Sequence, residues 1–211
     1  MTLKKPMTYH PMNGNSKTAH LFGTLYCLAL FFLLPAQLLL ASEYDQQFID
    51  AELERTIVNP DNSTAIEVDQ PIGIVFDALL SRLAEYTQNI TRIDFDHSRA
   101  ADPTALSIGS ERITTMDDGR KLVQRIIIFE PPNRFAYFTD MALSTVNVPI
   151  DYSIGYYTFA EQSDGKTAAT VAVAYKPSSR LTAFLVRLGF NRALSRDFEK
   201  AQAYLNSLGR N

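Results

Sequence analysis

The chain has 211 residues, 46% hydrophobic and 20% charged, the balance of a folded globular protein rather than a disordered one. Lys4, Lys5 and Lys17 are the only charged residues in 1–42, so 17 of the 20 basic residues face 23 acidic ones in 43–211, a net charge of −6. A domain of that sign lacks the basic footprint of a nucleic-acid binder, and the length allows one ordinary domain plus an appendage.

The appendage comes first. Leu21 to Ala41 holds no charged residue and includes LALFFLLPAQLLLA, with lysines before it and Glu43, Asp45 and Asp50 after it. That asymmetry predicts a cytoplasmic N-terminus and an exported remainder, periplasmic or extracellular. Two readings of residues 1–41 stand open. Ala41 before Ser42, with Pro35 upstream, suits a signal peptide cut at that point. An apolar run of about 20 residues also suits an uncleaved anchor in the inner membrane, which would make the membrane a partner through residues 21–41. The single cysteine, Cys27, lies in this run, so the exported part is expected to fold without a disulfide.

Residues 42–62 are polar and acidic and end in Asn59-Pro60-Asp61-Asn62, which reads as a linker with room for a short helix. The domain is expected over 63–211. Thr64 to Val68 alternates as a strand, and Pro71 opens a helix whose apolar residues, from Ile72 through Val75, Phe76, Leu79, Leu80 and Leu83, fall at helical spacing. A second short helix is expected from Tyr86 to Ile90. Strand patterns follow at 92–96, 108–116, 121–129, 134–139, 151–160 and 167–175. Asp117-Asp118-Gly119 and Ser163-Asp164-Gly165 mark hairpins between them. Pro131-Pro132 breaks the run IIIFEPPNRFAYFT into two strands and a corner, because each proline removes a ladder donor. A helix from about Leu181 to Leu208 closes the chain, with an apolar stripe of Leu181, Phe184, Leu185, Leu188, Phe198, Ala201, Leu205 and Leu208.

Chemistry-bearing residues are sparse. His97 is the only histidine after residue 42, and no cysteine accompanies it, so a zinc site of the usual kind is not expected, nor is any cofactor. No nucleophile elbow or phosphate loop occurs. Glu67, Asp96 and Glu111 remain as carboxylates for acid–base work if one of them faces an interior cavity. Residues 180–196 join four arginines to Phe184, Leu185, Leu188 and Phe190; this is either a core-facing helix with solvated arginines or a basic amphipathic surface for an anionic membrane.

The opening AIEVDQPIGIVFDALL, the block GSERITTMDDGRKLVQRIIIFEPPNRFAYFTD and the tyrosine-rich strand before the closing helix resemble, in order and spacing, the START-like helix-grip superfamily (SRPBCC), particularly its polyketide cyclase/dehydrase and lipid-transfer branch. The resemblance covers about residues 63–208. Many such domains place a tryptophan after the first helix; this chain has none, and Tyr86 stands nearby. The resemblance implies an α+β fold: a curved antiparallel β-sheet wrapped around a long C-terminal α-helix, with a central cavity that takes a hydrophobic or lipid-like small molecule. The residues expected to line it are Phe135, Tyr137, Tyr152, Ile154, Tyr156, Val173 and Tyr175 on the strands, with Leu188, Asn191 and Ser195 on the helix. Binding or carriage is the leading expectation. A cyclase or dehydratase with a cavity carboxylate, and an envelope interaction protein with a filled core, are the alternatives.

Overall fold

A computed structural model describes residues 44–181 and 183–209; the segment 1–41, expected to target or anchor the protein, lies outside them. Among the described residues no helix is long and apolar enough to cross a membrane.

Seven strands form one antiparallel sheet: β1 (Asn62–Val68), β2 (Ile90–Asp96), β3 (Glu111–Met116), β4 (Lys121–Glu130), β5 (Arg134–Asp140), β6 (Ile150–Glu161) and β7 (Thr167–Pro177). Their spatial order is β1-β7-β6-β5-β4-β3-β2, so the meander from β2 to β7 is continuous and β1 closes its far side. The sheet is curved and unclosed. The hairpin turns fall where Gly119 and Gly165 take φ of 82° and 79°, a left-handed conformation that glycine adopts without cost. The Pro131-Pro132 corner joins β4 to β5, and Arg134 clamps it with two bonds, at 2.7 and 2.8 Å, to the Glu130 carboxylate.

One face of the sheet carries α2 (Ile72–Ser81), the single turn α3 (Leu83–Tyr86) and α4 (Ala183–Ser207). Val75, Phe76 and Leu79 of α2 meet Phe135, Tyr157 and Phe159 of the sheet and Phe198, Ala201 and Leu205 of α4 in the main core. Gln70, buried just before α2, donates to the carbonyls of Leu205 and Gly209 at 3.1 and 2.8 Å. It thereby supplies donors that the last turn of α4 lacks and pins the end of that helix to the start of the fold.

The other face is covered as well. Residues Gln46–Val58, expected as part of a polar linker, form the 13-residue helix α1, capped by Asp45. Ile49 is fully buried against Phe138, Tyr152 and Ile154, with Tyr44 and Phe48 packed around them. The linker reading is therefore corrected: this segment is a covering layer of the sheet. Its acidic residues hid that role, since one face with Phe48, Ile49 and Leu53 suffices to bury a short helix.

Helix α4 departs from its expected stripe. Phe198, Ala201 and Leu205 face the core as predicted, but in the first turns it is Val186 that is buried. Leu181, just ahead of the helix, and Phe184 and Leu185 within it are 95%, 75% and 65% exposed, and Leu188 is exposed too. At about 100° per residue, the inward set of Val186, Phe190 and Leu194 lies nearly opposite Phe184 and Leu188. The sequence stripe joined two faces into one.

Candidate functional site

A cavity of about 280 Å³ opens between the concave face, the α2–α3 corner and α4. Its size is near the lower end of the ~300–1,000 Å³ usual for small-molecule sites. Met116 and Leu122 of the sheet, Met141 and Val148 between β5 and β6, and Leu79 and Leu83 of the α2–α3 corner form apolar wall, and Phe190, Leu194 and Phe198 of α4 form the roof. At one side Tyr137 and Tyr157 project from β5 and β6, their hydroxyls 3.1 Å apart. Burial pushes the Tyr157 phenol well above its ordinary pKa, and does the same to Tyr86 at the corner, so both remain protonated donors at neutral pH.

Beneath the apolar wall runs a row of polar side chains. Arg112 on β3 pairs directly with Gln124 on β4, and Thr139 on β5 with Ser153 on β6. Gln124 Nε2 donates to the Thr139 hydroxyl at 3.4 Å and joins the two pairs. All four are buried. The Arg112 guanidinium, 2% exposed, donates through Nε and Nη2 to Gln124 Oε1 at 3.0 and 2.7 Å. Its Nη1 reaches the carbonyls of Leu80 and Leu79 at 3.0 and 3.4 Å, at the C-terminal end of α2. The cation thus caps a helix end whose carbonyls carry partial negative charge, and its carbon lies 4.7 Å from the centre of the Tyr137 ring. Two residues along the same face of β3, the buried Thr114 hydroxyl has no hydrogen-bond partner.

Gly155 makes room for this arrangement. It lies opposite Tyr137 in the ladder, and a Cβ there would come within 2.7 to 2.9 Å of the Tyr137 ring and hydroxyl. Only a residue without a side chain lets that ring lie across β6 and reach both Arg112 and Tyr157.

The expected lining residues are split by the structure. Tyr137 and Val173 line the cavity. Phe135 and Tyr175 share their face but sit beside it. Phe135 is stacked 4.4 Å from Tyr157 and meets the Phe76 edge, and Tyr175 stacks on Phe190 and bonds Asn62 through its hydroxyl. Tyr152, Ile154 and Tyr156 lie on the opposite face, the first two beneath α1. The reason is a bulge: Ile150 pairs with Pro177 but Tyr152 with Lys176, so Asp151 is an extra residue and reverses the alternation. Ile150, Ser153 and Tyr157 therefore face the cavity. Leu188 and Asn191 are exposed and line, with Asp61, Asn62, Phe184 and Arg187, a separate surface depression. Ser195 is half-buried on α4 and outside the lining.

None of the three proposed carboxylates lines the cavity. Glu67 is exposed and paired with Lys166, and Asp96 is exposed, its pKa lowered by the Ser98 amide. Glu111 lies 3.7 Å from Arg99 beside a small hollow of the other face. The carboxylate that does reach the lining is Asp197 of α4, which pairs with Arg196 at 3.2 Å. His97, the isolated histidine, bonds Ser110 Oγ through Nδ1 at 2.9 Å outside the lining. Among the described residues no group of three histidine, cysteine or acidic side chains could hold a metal ion.

Solved structures share this architecture. The crystal structure of Ara h 8.0201 matches at 14% identity and a TM-score of 0.52, over 69% of this chain and 98% of its own. The fold is a helix-grip fold. The protein XoxI from Bacillus cereus matches at 14% identity and a TM-score of 0.53, over 70% and 96%. An uncharacterised protein from Bacillus thuringiensis matches at 12% and 0.52, over 68% and 97%. At such identities the likeness is one of fold alone. No family model matches the chain, and no curated protein matches it by sequence.

Proposed function

We propose that residues 44–209 form an exported helix-grip domain that holds or carries a hydrophobic, lipid-like small molecule, in the manner of the lipid-transfer branch its sequence resembles. The observation that carries this reading is the cavity itself, apolar over much of its wall, with the buried polar row of Arg112, Gln124, Thr139 and Ser153 gathered on its sheet side. Such a distribution solvates a hydrocarbon body and orients one polar end. A filled core would have favoured the interaction-protein reading instead. Export rests on the basic leader and the charge-free run 21–41. The first turns of α4 are compatible with a position beside a membrane, since residues 177–196 contain four arginines and no acid, and Leu181, Phe184, Leu185 and Leu188 are exposed there.

Native mass spectrometry of the full-length protein purified from its own host tests the proposal. A co-purified apolar molecule, released on denaturation, is the expected result. Protein that is consistently empty and also fails to take up the neutral apolar dye Nile red would overturn it. N-terminal sequencing of the mature protein distinguishes a cleaved signal peptide, which leaves Ser42 first, from a retained anchor.

A further inference from the structure

We infer that the molecule held in this cavity is an acid, with its carboxylate seated at Arg112 and Thr114. The inference rests on the reading of the cavity as a binding site and specifies the chemistry of its occupant. Arg112 is a full positive charge at 2% exposure, yet every group bonded to it is neutral: one side-chain amide oxygen and two backbone carbonyls, with the face of Tyr137 alongside. Among the described residues no carboxylate forms an ion pair with it. A buried cation is ordinarily paired, because neutral dipoles replace only part of the water it gives up. The bonds to Gln124 and to α2 also leave one Nη2 hydrogen unused.

Thr114 supplies the second, independent observation. Thr114 lines the same cavity and is 2% exposed, and its buried hydroxyl has no partner. A threonine buried without a hydrogen bond has given up its solvation without replacement, which an acceptor in the cavity would restore. A carboxylate satisfies both residues at once, one oxygen accepting from Arg112 Nη2 and the other from Thr114. A neutral alcohol or ester satisfies the threonine and leaves the arginine's charge uncompensated. The apolar wall then takes the hydrocarbon body, and Asp197, on the α4 side and paired with Arg196, repels a second acidic group. The class indicated is therefore a monocarboxylic acid with a compact apolar body.

The test compares decanoate with decan-1-ol, equal in chain length, each titrated calorimetrically into full-length protein at neutral pH, with Nile red uptake measured in parallel. Decanoate is expected to bind at least tenfold more tightly. Gln124→Glu is the decisive variant: it is nearly isosteric and places a carboxylate on Arg112 Nε and Nη2 from within the protein. It should bring the decanoate-to-decanol affinity ratio down to near one. Thr114→Val, equally conservative in shape, should reduce the ratio several-fold, with thermal melts confirming that both variants fold. Equal affinity for acid and alcohol in the unmodified protein, or a ratio untouched by Gln124→Glu, would overturn the inference while Nile red uptake keeps the cavity reading intact. Failure of all three probes to bind would overturn both.

Discussion

The position of Tyr137 depends on an absent side chain. Its ring spans Gly155, rests against Arg112 and hydrogen-bonds Tyr157, so it cannot swing away without breaking a contact on each side. Gly155→Ala is expected to cost about 1–3 kcal/mol through overpacking, seen as a lower denaturant midpoint with unchanged slope. The same substitution should weaken Nile red uptake, because the displaced ring enters the cavity. Gln124 has a comparable burden, since it accepts two of the bonds made by Arg112. Gln124→Leu keeps the volume but strips a buried cation of its side-chain acceptor, and unpaired charged groups cost upwards of about 1–3 kcal/mol. Urea denaturation should show that loss, whereas Gln124→Glu should not.

At the scale of elements, the outer face of the sheet depends on α1. Ile49 is fully buried there and Tyr152 meets both Tyr44 and Phe48 at centroid distances of 5.2 and 5.1 Å. Ile49→Ala should destabilise the fold by about 2–5 kcal/mol, the range for large-to-small core substitutions, and raise binding of a dye that reports exposed apolar surface. A linker would give no change in either measurement. This helix also explains where sequence patterns succeeded. The succession of strands along the chain, the two glycine turns and the Pro-Pro corner were legible because turn chemistry is local. The facing of β6 was not, because a strand covered on both sides is apolar at both parities: Tyr152 and Ile154 look as much like cavity wall as Tyr157 and Phe159. The Asp151 bulge then reversed the count with no glycine or proline to announce it. Arg112 was invisible for a different reason. A lone arginine in a strand reads as solvated, and only the ladder reveals that Gln124, Thr139 and Ser153 extend it into a buried row. The one available signal was parity: Gln124 lies in step with buried Ile126, and Thr139 with Tyr137.

For the molecule as a whole, the placement of tyrosines sets its behaviour in alkali. Burial raises the pKa values of Tyr86, Tyr152 and Tyr157 in the folded state, while in the unfolded chain each ionises near the ordinary value of about 10. A raised folded pKa means that, above pH 10, the folded state holds protons that the unfolded state has released. The stability these groups contribute is therefore complete below about pH 10 and is lost as the pH rises from there toward their folded values. Denaturant midpoints are expected to be level from neutral pH to about 9.5 and to fall steeply beyond it. Absorbance at 295 nm should rise in two phases, exposed tyrosines first and the buried set only as the circular dichroism signal of the sheet collapses. Replacing Tyr157 with Phe should reduce the second phase and soften the fall in stability. A single titration near pH 10, complete while the protein is still folded, would mean that water reaches these phenols and that the packing of Tyr157 against Phe135 and Phe198 is open in solution.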